Sequence, residues 1–143
     1  MAVHSAPSAS QAGQATAAQS DMRVLRVVLA AQIALGLLWG VSMLFFAQAI
    51  ALGDRSGPHI EKIAMEGGAH FALVFGAVLA WRMPRESRPV LLMMIFLNAM
   101  WALTDLVYIP LYALTAIDFG VKLVVNLALC LGLGVGARRA RLI

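Results

Sequence analysis

The chain has 143 residues, 62% of them hydrophobic and only 13% charged, and its mean hydropathy is +0.85. So little polar surface excludes a water-soluble globule of this length. Eleven lysines and arginines against seven acids give a net charge of +4, but the arginines sit between apolar stretches with no aromatics interleaved, which argues against a nucleic-acid stripe.

Residues 1–21 are mostly Ala, Ser, Gln, Gly and Thr, with His4 and Pro7. That composition buries no core, so a disordered cytoplasmic tail is expected, with Ser20 or Asp21 capping the first helix. A helix needs about 20 consecutive apolar residues to cross lipid, because every backbone amide must be bonded within its own segment. Four segments qualify, at about 27–52, 63–81, 90–109 and 119–136.

The first span is long for a bilayer and is expected to tilt or project. Ala47-Gln48-Ala49 has the small-x-small form of a signal cleavage site. The apolar run before it is about twice a signal's hydrophobic region and the positive charge lies far from the start, so an uncleaved anchor is expected. Pro58 suits the first turn of the second helix. Pro89 and Pro110 frame the third, and Thr115-x-x-Asp118 is a capping pattern at the start of the fourth.

The spans and their short connections predict one all-α domain, a four-helix transmembrane bundle over 22–137 followed by a basic tail at 138–143. Arg23 and Arg26, then Arg82, Arg85 and Arg88, then Arg138, Arg139 and Arg141 all fall on one side of it. Short cytoplasmic loops carry the excess cations. Both termini are therefore expected in the cytoplasm, and the chain in the cell inner (plasma) membrane as a multi-pass protein. Membrane lipid is the expected partner, with a homo-oligomer or a larger membrane complex as further possibilities.

Polar residues inside the spans mark the candidate site. Glu66 and His70 lie one turn apart on the second helix. Asn98 and Asp105 share a face of the third, with Trp101 at its flank and Thr104 and Tyr108 beside Asp105, and Lys122 and Asn126 lie one turn apart on the fourth. At a rise of ~1.5 Å per residue, Glu66, Asp105 and Lys122 all reach roughly 5–6 Å below the outer ends of three helices. Charges facing lipid at that depth are costly, so these groups are expected to face the bundle interior. Two acids against one lysine leave a surplus negative charge, which a proton, a cation or a substrate amine relieves. Gln48 is expected to complete the lining, and Gln32 to form an interhelical hydrogen bond.

Three functions fit these residues. The leading one is binding of a small or amphipathic molecule in an outward-facing polar pocket, with Glu66 or Asp105 accepting a proton, His70 carrying it and Lys122 as electrostatic anchor. The second is an accessory or structural subunit of a larger membrane complex, in which the polar cluster only fixes helix register. The third is an acid–base enzyme acting on an isoprenoid, sterol or quinone. No cofactor and no metal are expected: Cys130 is the only cysteine and His70 the only histidine within a span, with His59 assigned to an outer loop and His4 to the tail.

Glycine spacing bears on packing. Gly36-x-x-x-Gly40 and Gly132-x-x-x-Gly136 are small-residue faces suited to close helix contact. Gly67-Gly68, between Glu66 and His70, marks either a local break at the polar site or a tight helix contact.

Overall fold

The computed structural model describes the backbone of residues 9–51, 56–111 and 116–143, and side chains within 22–51, 56–107 and 120–143. Its elements are α1 (Ala9–Phe45), α2 (Ala47–Ile50), α3 (Gly57–Arg82), α4 (Arg88–Leu111) and α5 (Ala116–Arg139), with no strand among the described residues. Four helical segments are long and apolar enough to cross a membrane: Met22–Phe45, Gly57–Arg82, Arg88–Val107 and Gly120–Arg139. The chain is thus an all-helical protein with four candidate membrane spans.

Two sequence expectations change at the first helix. α1 begins at Ala9, so residues 9–21, read as a disordered tail, are helical and Ser20 and Asp21 are interior positions without a capping role. The segment after Pro7 is rich in alanine and free of proline, so a helix nucleated by the span extends backward at little cost per residue. At the other end the helix stops at Phe45, where Phe46 (φ −120°, ψ 25°) turns the chain into the single turn of α2. The apolar run read as one span to residue 52 is therefore divided. The turn seats Ala47 and Ala51 in buried positions, with α2 against both α1 and α3.

α3 starts as its sequence suggests, with Pro58 in the first turn. It runs unbroken through Gly67 and Gly68, which removes the local break and leaves tight packing as the role of Gly67 alone. α5 closes on a left-handed residue, Arg141 (φ 55°). The Arg141 N–H bonds the Arg138 carbonyl at 3.0 Å and the Leu142 N–H bonds the Ala137 carbonyl at 2.9 Å. This pair of bonds satisfies two terminal carbonyls and folds Leu142 back into the core. Thr115, Tyr112 and the side chains of Tyr108 and Asp118 lie outside the described residues.

The long helices form a ring in the order α1, α3, α4, α5. α1 packs along α3 and α4 along α5, α5 returns to α1, and the contact between α3 and α4 is the slightest of the four. Glycines set how close the helices come. On α3, a Cβ at Gly67 would lie 2.9 Å from the Leu44 nitrogen and 3.0 Å from the Gly40 oxygen. On α5, Gly136 and Gly132 seat against Leu25 and Val28 of α1, and on α3, Gly76 seats against Val90 and Met94 of α4. Both GxxxG faces are therefore used within the chain.

Packing is uneven along the bundle. The buried apolar cluster of Leu25, Leu29, Leu73, Leu91, Met94 and Leu133 fills the half nearest the arginines. Toward the other end the core gives way to a cavity. The outer surface carries exposed Phe45, Phe75, Phe96 and Leu131, an apolar girdle that suits lipid rather than water.

The two neighbouring glycines of α3 give opposite expectations. Gly67→Ala forces a methyl onto the α1 backbone at Gly40 and Leu44 and is expected to destabilise by about 1–3 kcal/mol. Gly68 has nothing within 4 Å of an added Cβ, and Gly68→Ala is expected to stabilise by about 0.5–1 kcal/mol. Thermal unfolding of both variants in one detergent checks this, and equal shifts of the same sign would contradict the packing.

Candidate functional site

The cavity at the less packed end measures about 610 Å³ and is bounded by α1, α3, α4 and α5. From His59 at its rim to His70 near its base, α3 supplies eleven residue steps of wall, roughly 16 Å at the helical rise.

The hairpin of α1 and α3 contributes Trp39, Glu66 and His70, and adds Lys62 and His59 at the rim. The hairpin of α4 and α5 contributes Asn98, Trp101, Asp105, Lys122 and Asn126. Six residues expected from sequence, namely Glu66, His70, Asn98, Asp105, Lys122 and Asn126, thus line one space. Helical periodicity accounts for it: positions three, four or seven apart fall on one face, so each helix turns a single polar stripe inward.

At the base, Asn98 is fully buried and Gln32 nearly so. The Asn98 Nδ2 donates to Gln32 Oε1 at 3.1 Å and to the Met94 carbonyl at 2.8 Å. Using both amide protons this way fixes the orientation of the side chain. It leaves Asn98 Oδ1 buried with no protein donor, a cost of about 1–3 kcal/mol. The interhelical role expected for Gln32 is the one observed.

Higher up, Asn126 Nδ2 donates to Asp105 Oδ2 at 3.3 Å, joining α5 to α4. The Lys122 ammonium lies 5.8 Å from the centroid of Trp39, bringing α5 to α1 through a cation–π contact. The His70 and Trp101 rings meet at 4.8 Å with a 43° tilt, linking α3 to α4. Thr104, also on the lining, returns its hydroxyl to the Met100 carbonyl at 2.8 Å.

No family model, curated protein or solved structure matches this chain.

The site therefore has to be judged on its own residues, and some differ from the sequence reading. His59, assigned to an outer loop out of reach, lines the rim, as does Lys62. α3 begins at Gly57, earlier than the hydropathy break at residue 63, and the extra turn aims both inward. Gln48 is exposed on α2 rather than completing the lining, because the break at Phe46 re-aims everything after it. Trp39 was missed, although it lies seven residues after Gln32 on the inner face of α1. Among the described residues the charge count changes as well: Lys62 joins Lys122 on the lining opposite Glu66 and Asp105, two lysines to two acids. Among the described residues no group of three or more His, Cys, Asp or Glu side chains forms a metal site, and Cys130 is a half-buried free thiol.

The amide pair at the base gives a test that separates polar specificity from stability. Asn98→Ala alone strands Gln32 Oε1 and opens a small void, and is expected to destabilise by about 2–3 kcal/mol. Gln32→Leu combined with Asn98→Leu removes both partners and the orphan acceptor together, and is expected to fall within about 1 kcal/mol of the parent. Unfolding midpoints of the two variants and the parent in one detergent decide it.

Proposed function

We propose that this chain is a multi-pass protein of the bacterial inner membrane that binds a small or amphipathic molecule in the cavity, with proton exchange. The observation that carries the reading is the convergence of Glu66, His70, Asp105 and Lys122 on one space of about 610 Å³. Asp105 accepts from the Asn126 amide, Lys122 lies over the Trp39 indole, and a volume fit for a ligand stays between the helices that carry them.

Charge balance decides which ligands need a proton to move with them. With two acids and two lysines among the described residues of the lining, a neutral or zwitterionic ligand enters without leaving an uncompensated charge. A net-charged ligand raises the cost in a low-dielectric surrounding unless a proton moves with it. His59 and His70 line the cavity and have ring nitrogens that can accept and release a proton. An accessory subunit would have to dock elsewhere than on Gly36, Gly40, Gly132 and Gly136, which are filled within the chain.

The arginine-bearing end belongs in the cytoplasm on the positive-inside rule, which puts both termini there and turns the cavity outward. Alkaline phosphatase fused after Ile143 is then expected to be inactive in bacteria, and an active fusion would invert the topology.

Native mass spectrometry of protein extracted gently from its own membrane tests the binding. A bound small molecule is expected on the parent, with at least about tenfold lower occupancy in Glu66→Gln, the loss of one charged hydrogen bond. An empty cavity in the parent, or occupancy untouched in both Glu66→Gln and Asp105→Asn, would end this reading.

A further inference from the structure

The two hairpins correspond residue by residue. Adding 66 to positions of α1 gives α4, and adding 60 to positions of α3 gives α5. Val24-Leu25 then maps on Val90-Leu91, and Lys62, Leu73, Gly76-Ala77 and Ala80 map on Lys122, Leu133, Gly136-Ala137 and Ala140. Burial follows the same register at several positions, though not at Gly40 and Gly67, which are buried while their counterparts Leu106 and Leu127 are exposed. Leu25 and Leu91, Gln32 and Asn98, and Gly36 and Ala102 are buried in both copies, while Ala34 and Met100, Leu37 and Leu103, and Val41 and Val107 are exposed in both. The Gln32–Asn98 bond spans 66 positions, so it joins equivalent residues, as a contact on a two-fold axis does. The difference between the two shifts is six residues and falls in the connection that holds α2.

Such an arrangement has two equivalent seams between the hairpins, α5 against α1 and α3 against α4. They begin alike at the packed end, with Gly136 on Leu25 in one and Gly76 on Val90 in the other. Beside the cavity they part. Along the first seam Gly132 seats on Val28, Leu129 is buried, and Lys122 over Trp39 closes the top. In the second seam the counterparts of Asn126, Leu129 and Gly132 are Glu66, Ala69 and Ala72, and all three are exposed. The counterpart of Trp39 is Asp105, whose carboxylate is turned to Asn126 in its own hairpin.

The second seam is thus crossed by the His70–Trp101 ring contact and, beside it, is thinly covered where the exposed Ala69 and Ala72 stand on α3 next to Glu66 and His70. Whatever fills it must be apolar and slender on the outside and polar within. We propose that the bundle is one helical hairpin repeated in tandem, and that its α3–α4 seam is a lateral entrance through which an amphiphile sets its polar head in the cavity while its tail stays in the bilayer. The ligand half of this inference rests on the binding reading above. The opening of the seam does not.

Tryptophan quenching in vesicles of phosphatidylcholine with brominated acyl chains tests the seam without a ligand in hand. Trp101 beside the gap is read alone in Trp39→Phe/Trp81→Phe, and Trp39 beside the closed seam in Trp81→Phe/Trp101→Phe. Emission from Trp101 is expected to be quenched at least about twofold more than that from Trp39, since acyl chains of the hydrocarbon core reach it. Ala69→Leu with Ala72→Leu is expected to bring Trp101 down to the level of Trp39, because Ala69→Leu restores the side chain that α5 carries at Leu129. Ala69→Leu alone, the milder filling, should move it part of the way.

Equal quenching of the two tryptophans, or quenching of Trp101 indifferent to either filling, would overturn the proposal. So would shielding of Trp101 that is lost only when a second copy or a partner protein is removed, since a helix would then occupy the gap. An open seam beside a cavity found empty by native mass spectrometry would sink the binding reading and leave the entrance standing.

Discussion

Helices surrounded by lipid gain nothing from the hydrophobic effect when they meet, so their association depends on how closely their backbones approach. In this chain close approach is granted by glycine, and the glycines are placed unevenly. Gly76, Gly132 and Gly136 draw the two hairpins together near the arginines, where Leu25, Leu29, Leu73, Met94 and Leu133 then interlock. Gly36, Gly40 and Gly67 instead bind α1 to α3 within one hairpin. Contact between the hairpins is accordingly tight at one end and slack at the other, and the cavity is the space this difference leaves.

The Gln32–Asn98 bond marks the boundary between the two halves. Below it the bundle is leucine, methionine and alanine. Above it α3, α4 and α5 turn polar groups inward while α1 presents Trp39, and the contacts that cross the space are long or soft, a cation over an indole and one ring tilted against another. Contacts of that kind are worth about 0.5–2 kcal/mol each, small enough to be exchanged for a ligand.

Much of this was legible in the sequence. Four apolar runs and the face shared by residues three, four or seven apart suffice to predict the spans and the convergence of Glu66, His70, Asp105 and Lys122. What escaped was set by events that hydropathy does not register. Nothing in Phe45-Phe46-Ala47 announces the break that shortens the first span and moves Gln48 off the lining, since the turn contains no glycine or proline and is chosen by the burial of Ala47 and Ala51. Lys62 and His59 are polar and so fall outside a hydropathy span, although Pro58 signals a helix starting ahead of them. Trp39 lies on the inner face with Gln32, but an aromatic in an apolar span carries no sign of its neighbour across the bundle. The correspondence of the hairpins is diluted to a few identities, and it shows only once burial gives the register.

A polar cavity reaching down to Asn98 also changes what the membrane is at this point. In the proposed placement the insulating layer is the packed half alone, roughly 15 Å of a hydrocarbon core that is about 30 Å elsewhere. The transmembrane voltage then falls almost entirely across the belt of Leu29, Leu73, Met94 and Leu133. A charge travelling from the rim to His70 crosses little of it, so loading the cavity costs nearly the same at any membrane potential. A charge continuing past that belt would cross nearly all of it, about 2.3 kcal/mol per 100 mV.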